Sequence, residues 1–436
     1  MSSIVIDNVR IVDGTGAPPI ADGRVVIDGE RIAAAGPRAG SGPYGAPVEI
    51  PRGAELIDGA GKTVLPGLVD AHVHDFSDAN MALYVQSGVT AIRFAGGNQR
   101  QLLQLRDRIE RGETRGPRIF SCGHPLDATP HAWPGTYSAD TPLEGRRAVR
   151  RAVTQERADA ILATHRVTKP ILAAIADEAH DLGVPVTGQI WSASAREAAG
   201  AGIDGLENTS RIPEDPAYGP ERLFERLSVS ARIATLAHLW ADADPRQLEE
   251  IAALLAERGV WIAPELVSFE AWAGLSERDV KADRDWPRGD DPRVAQYDRH
   301  NRYISSEWTK DDFAAQAKTL DEFKEFLNAF AGAGGVLVAG TDLGFGGILL
   351  HRELGHFIDA GLTPLRAIRT ATRAAASALG RDDLGHVAAG RTADLVLVDG
   401  DPTRDLKALR EVDRTFIGGR VVYQRESARE RAAVGR

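Results

Sequence analysis

The feature that most constrains the fold is a series of eight short apolar segments that alternate with helix-like stretches. The segments are, in chain order, TVLPGLVDAHVH, GVTAIRFAGG, RIFSCGH, ADAILATH, VPVTGQIW, IDGLENTS, VWIAPEL and VLVAGTD. Most of them follow a Gly or Pro turn and end in polar residues, as parallel strands covered by helices do. Eight units in series predict a closed (β/α)₈ (TIM) barrel over residues 64–385, with its chemistry at the C-terminal strand ends. A doubly wound open sheet is the alternative, but no G-x-G-x-x-G follows the first strand, so no nucleotide cofactor is expected.

Both ends of the chain have the alternating pattern of β-strands. Residues 1–63 contain IVIDNVRIVDG and GRVVIDGERIAAAG, and residues 386–436 contain TADLVLVDGDP and DRTFIGGRVVYQ. Each piece is small for an independent domain. The two ends are therefore predicted to form one small β-sandwich domain beside the α/β barrel.

Composition excludes several classes of protein. The chain has 436 residues and a single Cys, so it has no internal disulfide and no Cys-rich metal cage. Its 52 Lys and Arg against 62 Asp and Glu give a net charge of −10, which does not suit nucleic-acid binding. No apolar run approaches the roughly 20 residues of a membrane span, and the N-terminus lacks the pattern of a signal peptide. A cytoplasmic protein is expected, and any metal site must use its 11 His residues with Asp or Glu.

A His-x-His pair ends the first barrel segment. His72 and His74 are two residues apart, so both imidazoles point to the same side of a strand. In a closed barrel the neighbouring eighth segment ends in Asp342. Two His and one carboxylate at one point form a metal site with open positions for water. The alternative is that Asp342 caps a helix and that backbone groups satisfy the two imidazoles.

The whole chain resembles the amidohydrolase superfamily, in its imidazolonepropionase-like or prolidase-like branch. The resemblance rests on PGLVDAHVH, AGTDLGFGG, HRELGHFIDAGLTPLRAIRTATRAAASALG and GHVAAGRTADLVLVDGDP. It implies one or two divalent metal ions, a metal-activated hydroxide, and proton transfer by the Asp of the eighth strand. His72, His74 and Asp342 match the family's ligands on the first and eighth strands.

Three strand ends depart from the family pattern. Leu162 stands where a bridging lysine is implied, and Gln189 and Asn208 stand where the fifth and sixth strands should each supply a His. Amide oxygens are weak ligands in place of imidazole nitrogen. A second metal is therefore not expected. One zinc-like divalent ion at His72, His74 and Asp342, or a metal-free site in which these residues act as acids and bases, are both left open.

Other residues at the predicted barrel mouth are candidates for binding substrate. His124 ends the third segment and matches a substrate-contacting position of the family branch. His165 ends the fourth segment, where a metal ligand, an acid–base residue and a surface His are alternatives. Glu265 ends the seventh segment, and a carboxylate there needs a cationic substrate, a His or a metal as partner. Trp191 is a candidate stacking wall or a packing residue, and Gln189 and Asn208 are expected to orient the substrate.

These residues support three hypotheses for function. The first is an enzyme that hydrolyses an amide or cyclic amide C–N bond of a small molecule, with Asp342, His72, His74 and His124 as catalytic residues. The second is a metal-independent lyase, isomerase, dehydratase or cyclase of specialised metabolism, and the third is a non-catalytic ligand-binding relative. The long, aromatic-rich connection after Glu265 is predicted to be a lid over a small-molecule substrate or a contact in a homo-oligomer.

Overall fold

A computed structural model of the chain describes most of its residues. The described residues are 3–39, 46–74, 77–208, 210–215, 219–226, 228–274, Lys281, Trp286, 291–343 and 345–426. Among them, no helix combines the length and the apolar character that crossing a bilayer requires. Parts of the predicted lid, at 275–280, 282–285 and 287–290, lie outside the described residues.

The two ends of the chain form one mixed sheet. Its strands are β1 (Ile4–Ile11), β2 (Ile20–Asp28), β3 (Arg31–Pro37), β4 (Glu55–Asp58), β5 (Lys62–Pro66), and, after the α/β region, β15 (Leu395–Asp399), β16 (Val412–Ile417) and β17 (Arg420–Gln424). The order is β17-β16-β15-β5-β1-β2-β3, with β4 beside β1. Alternating apolar residues of both ends, including Ile6, Val25, Leu395 and Phe416, bury one common core. The predicted association of the termini is therefore present, as a single sheet of eight strands.

The middle of the chain is an α/β region with parallel strands. They are β6 (Leu68–Val73), β7 (Val89–Phe94), β8 (Arg118–Ser121), β9 (Leu126–Asp127), β10 (Tyr137–Ser138), β11 (Ile161–His165), β12 (Val186–Ile190), β13 (Gly205–Glu207) and β14 (Trp261–Ala263). One group has the order β6-β7-β8 and the other β10-β9-β11-β12-β13-β14. The amide of Ala160 donates to the carbonyl of Ser121 over 3.2 Å, and the amide of Ala71 donates to the carbonyl of Ala339 over 2.9 Å. The first bond joins β8 to the residue before β11, and the second joins β6 to the eighth segment.

Helices cover the strands of the α/β region. They are α1 (Asp78–Gln86), α2 (Gln99–Glu110), α3 (Pro142–Glu156), α4 (Lys169–Asp181), α5 (Ala195–Gly200), α6 (Pro220–Glu225), α7 (Val229–Ala241), α8 (Pro245–Glu257), α9 (Leu266–Trp272), α10 (Pro292–Ile304), α11 (Lys310–Gly332), α12 (Ile348–Asp359), α13 (Pro364–Thr370) and α14 (Arg373–Ala378). Many begin with a side-chain cap; in α5, for example, Ser194 and Glu197 form a reciprocal capping box. Their apolar faces bury the main core.

Two of the eight predicted strands have different bounds in the structure. The first segment is divided, because β5 pairs with the terminal sheet and only β6 enters the α/β region. The eighth segment forms an isolated bridge from Leu337 to Ile262 and a few backbone hydrogen bonds instead of a regular strand. The connection after Glu265, predicted as a loop, contains the helices α9 and α10 in its described part.

Candidate metal centre and active site

Three side chains converge where the first strand of the α/β region meets the eighth segment. His72 lies in β6, His74 follows it, and the amide of Asp342 donates to the carbonyl of His72 over 2.8 Å. The two Nε2 atoms are 3.1 Å apart. Asp342 Oδ1 lies 3.1 Å from Nε2 of His74 and 3.5 Å from Nε2 of His72. The structure therefore brings together the three residues that the sequence selected as a metal site.

Each imidazole of the pair directs its Nδ1 atom at a hydrogen-bond acceptor. Nδ1 of His72 lies 2.9 Å from Oε2 of Glu207, and Nδ1 of His74 lies 3.3 Å from the carbonyl oxygen of Gly96. Because carboxylate and carbonyl oxygens only accept, a neutral imidazole in this position carries its proton on Nδ1. The Nε2 lone pairs then face each other and the carboxylate of Asp342. Three acceptor atoms converge, and they need a cation or a proton between them.

The spacing of these atoms fits a single tetrahedral divalent ion. Metal bonds of about 2.0–2.1 Å place neighbouring ligand atoms roughly 3.3 Å apart, close to the observed 3.1, 3.1 and 3.5 Å. Three protein ligands leave a fourth position open, as in catalytic zinc sites. The contacts at Nδ1 are the outer contacts that fix metal-binding imidazoles in orientation.

A buried ion pair lies beside His72 on its Nδ1 side. Glu207, at the end of β13, pairs with Arg93 of β7, and both side chains are almost completely buried. Arg93 also donates to Thr187 over 3.2 Å. Burial alone would raise the pKa of Glu207, but Arg93 and His72 outweigh it and lower the pKa. Sequence reasoning missed this pair; a charged residue inside the apolar run VTAIRF was the available signal.

Glu265 lies on the other side of His72. Its Oε1 atom is 3.0 Å from Nδ1 of His72, and its Oε2 atom accepts from Asn208 Nδ2 over 2.8 Å. Burial raises the pKa of Glu265 above its usual range, although the neighbouring His72 opposes the shift. Burial by itself lowers the pKa of His72, but Glu265 and Glu207 outweigh it and raise the pKa well above the ordinary value. The carboxylates around His72 therefore favour the protonated, positively charged form of its imidazole.

A chain of amide hydrogen bonds occupies the strand ends where the sequence resemblance implies further ligands. Asn208 Nδ2 donates to Oδ2 of Asp342 over 3.0 Å, and Gln189 Nε2 donates to Oδ1 of Asn208 over 3.4 Å. Nε2 of His165 lies 3.2 Å from Oε1 of Gln189. His165 also stacks on Trp191 with ring centroids 3.7 Å apart. Burial lowers the pKa of His165 to about 3, so its imidazole is neutral at ordinary pH.

Three strand-end residues of this site have left-handed backbone conformations. Asn208, Glu265 and Asp342 have φ values of 46°, 55° and 58°. A non-glycine residue in this region costs roughly 1–3 kcal/mol, and such residues cluster at functional sites. Glu353 offsets part of the cost beside Glu265, because its carboxylate accepts from the amides of Leu266 and Val267 over 3.0 and 2.9 Å. The surrounding structure holds these side chains toward one point.

A cavity of about 360 Å³ opens above the three converging residues. The described residues that line it are His72, His74, Ala95, Gly96, Gly97, Pro125, Trp133, Pro134, Thr136, Leu162, Thr164, Gln189, Ile233, Trp272, Arg293, Gln296, Tyr297, His300, Ile304, Asp342, Leu343 and Phe345. Most are apolar or aromatic, with a few polar groups, as in pockets for small organic molecules. The helix α10 supplies one wall, so the described part of the predicted lid does cover the site.

Five residues predicted to contact substrate are absent from the described lining of this cavity, namely His124, His165, Trp191, Asn208 and Glu265. His124 turns toward α3, where its Nδ1 lies 2.8 Å from Glu156, and it stacks on Tyr137 at 4.4 Å. His165 and Trp191 are buried behind Gln189. As placed, His165 and Trp191 reach the cavity only through neighbouring side chains. His300, which sequence reasoning did not select, lines it directly.

Comparison with known proteins agrees with this fold. Adenine deaminase 3 of Rhizobium meliloti (strain 1021) is 26% identical over 438 residues, covering 97% of this chain and 58% of the deaminase. The chain therefore spans little more than half the length of that relative. Among solved structures, bottromycin amidohydrolase superposes with a TM-score of 0.72 at 21% identity, covering 96% of this chain and 86% of the other. A. niger ochratoxinase has a TM-score of 0.71 at 18% identity, with 97% and 96% covered.

The class defined by fold and site is therefore a TIM-barrel-type α/β protein with candidate metal ligands at strand ends. The model of the amidohydrolase family matches residues 63–422, which is most of the chain. The chain belongs to the amidohydrolase family. This confirms the resemblance drawn from the strand-end motifs, and it places the protein in a family of hydrolases that act on C–N bonds.

Proposed function

We propose that this protein hydrolyses an amide or cyclic amide C–N bond of a small molecule, with one divalent metal ion held by His72, His74 and Asp342. The observation that carries the proposal is the convergence of two Nε2 atoms and one carboxylate oxygen within 3.1–3.5 Å of one another. Family membership over residues 63–422 supports the reaction class. The mixed apolar and polar cavity above the cluster suits a small organic substrate.

The metal, when bound, would polarise the scissile carbonyl and make water more acidic. Asp342 would take the proton of the attacking water at its carboxylate and deliver it to the leaving nitrogen. In the metal-free site, burial alone would raise the pKa of Asp342, but a hydrogen bond and positive charge from protonated His74, with the charge of His72, hold it well below its usual range. Gln189 lines the cavity and would orient the substrate carbonyl. Asn208 would hold Asp342 through Oδ2 and so fix the orientation of the carboxylate.

We also propose that the site takes one metal and not two. Leu162 cannot bind a metal, and Gln189 and Asn208 are committed to hydrogen bonds with each other and with His165 and Asp342. A second ion there would have to break this chain and replace it with weak amide ligands.

A metal-independent acid–base enzyme, such as a lyase or cyclase of specialised metabolism, is the second candidate. The observation that favours it is the position of His72 between Glu207 and Glu265, at 2.9 and 3.0 Å. The two carboxylates beside Nδ1 favour the protonated form of this imidazole. The added proton, on Nε2, would then occupy the point where the metal would sit. His72 would then act as the acid and Asp342 as the base.

The test is amine release from a panel of N-acyl amino acids, N-acyl amides and lactams, before and after dialysis against a chelator. Hydrolysis that stops on chelation and returns with Zn²⁺ supports the first candidate. Full activity in excess chelator, with a bell-shaped pH profile, supports the second. Tight binding of a panel compound without any reaction would favour a non-catalytic relative.

For the architecture, we propose a closed eight-stranded barrel at residues 64–385, with residues 1–63 and 386–436 forming a β-sandwich beside it. The bonds from Ala160 to Ser121 and from Ala71 to Ala339 support closure. The common core of both termini supports the second domain. A cytoplasmic location and a homo-oligomer stay predictions.

A further inference from the structure

The helix α10 presents a row of side chains to the cavity. Arg293, Gln296, Tyr297, His300 and Ile304 all line it. Their spacing of three or four residues places them on one face of a helix. A helix that covers a protein core usually buries apolar residues on this face. Four of these five side chains are polar, so this face of the helix is better suited to a ligand-binding space than to a packed core.

His300 belongs to this row and has no role in the proposed reaction. Its Nε2 atom is buried and has no hydrogen-bond partner among the described residues. Leaving a buried polar group without a hydrogen-bond partner costs free energy. We therefore expect a bound ligand to supply the partner of Nε2. The charges that act on this imidazole are those of Asp342 and His74, which places His300 near the proposed reaction centre.

The electrostatics of the cavity disfavour an anionic ligand group as the partner of His300. Burial lowers the pKa of His300 below its ordinary value, which keeps the imidazole neutral. Arg293 is the one Lys or Arg among the described lining residues. It is committed to Asp291, with Nε 2.8 Å from Oδ1, and to Asn80 over 3.1 Å.

We propose that His300 is a specificity-determining residue that binds an uncharged polar group of the substrate through Nε2. The substrate class is an amide with an apolar or aromatic body and a second neutral hydrogen-bonding group, such as a carboxamide or a hydroxyl. Trp133, Trp272 and Phe345 line the space for the apolar body. This inference rests on the proposed function, because it assigns the group that the same cavity selects.

Two probes that differ only in charge test the proposal. N-acetyl-L-phenylalaninamide ends in a neutral carboxamide and N-acetyl-L-phenylalanine in a carboxylate. Binding of each is measured by titration calorimetry on the wild-type protein, on His300→Leu and on His300→Gln. The wild type is expected to prefer the amide, His300→Leu to lose about 3- to 12-fold in affinity for the amide only, and His300→Gln to keep most of it.

Three results would overturn the proposal. They are a preference of the wild type for the acid, equal loss for both probes in His300→Leu, and no binding of the amide at millimolar concentration. Amine release from the same amide tests the proposed function separately. Binding that depends on His300 without hydrolysis of any amide would contradict the hydrolase and leave the specificity of the cavity established.

Discussion

Two halves of the site have opposite hydrogen-bonding character. On the side of β6 and the eighth segment, His72, His74 and Asp342 bring acceptor atoms together. On the side of β12 and β13, Gln189 and Asn208 alternate donors and acceptors in a chain that ends on Asp342. The converging acceptor atoms of the first half need a cation or a proton between them, whereas the donors and acceptors of the second half are already paired with one another. Under the proposed function, the hydrogen bonds of the second half take the place of a second metal ion.

The largest expected effect comes from removing the carboxylate that both halves share. Asp342→Asn should lower kcat by about 10²–10⁴-fold, because an amide cannot accept the proton. Steady-state amine release measures the loss. Asp127→Asn is the matched control, since Asp127 is also a buried carboxylate outside the cavity lining. Near-normal turnover by Asp342→Asn would exclude Asp342 as the proton carrier.

The ion pair behind the metal half should matter most for stability. Arg93→Leu leaves Glu207 buried without its cation, and we expect the free energy of unfolding to fall by about 3–5 kcal/mol. Urea unfolding measures it. The double variant Arg93→Leu with Glu207→Leu should recover much of the loss, because no unpaired charge remains. A double variant that is less stable than the single one would contradict this account.

The amide half should respond to acid through His165. The folded protein does not protonate it until the pH approaches its pKa of about 3, whereas the unfolded chain takes up the proton near pH 6.5. The free energy of unfolding should therefore fall as the pH drops below 6.5, by about 2 kcal/mol at pH 5. His165→Phe should flatten this dependence, and His180→Gln, which changes a half-exposed His, should not. An unchanged pH profile in His165→Phe would contradict a neutral His165.

The smallest expected change in stability comes from a variant that distinguishes the two halves of the site. Gln189→Met removes the donor to Asn208 and should cost about 0.5–1.5 kcal/mol of stability, while the bound metal stays in place. His74→Gln should instead abolish metal binding with little change in the stability of the metal-free protein, since its side chain is almost half exposed. Metal analysis and thermal unfolding of both variants decide the comparison. Loss of metal from Gln189→Met would show that the amide half also holds an ion.

The sequence predicted the metal half better than the amide half, for a physical reason. Side chains two residues apart on a strand share one side, so His72 and His74 could be placed together, and the closure of the predicted barrel placed Asp342 beside them. The direction in which His124 turns depends on Glu156, which is distant in sequence and unrelated to any motif. The interaction between Gln189 and Asn208 was equally hidden, because neither strand end contains its partner.

The part of the chain that covers the site shows a second limit of the sequence. The connection after Glu265 was predicted as a loop because charged and aromatic residues are mixed there without an apolar stripe. In α10 the inward face is itself polar, so the usual amphipathic signal is absent. The spacing of Arg293, Tyr297 and His300 was the signal that could have revealed the helix.

Elemental analysis of protein purified without added metal tests the central claim most directly. We expect close to one zinc-like ion per chain in the wild type and in Gln189→Met, and none in His74→Gln. The three converging ligands hold one ion, and the hydrogen-bonded amides beside them leave no free ligands for another. A second described group, His72 with Glu207 and Glu265, shares His72 with the first, and its Glu207 already pairs with Arg93. A wild-type protein with no metal and full activity in chelator, or with two ions per chain, would contradict the account.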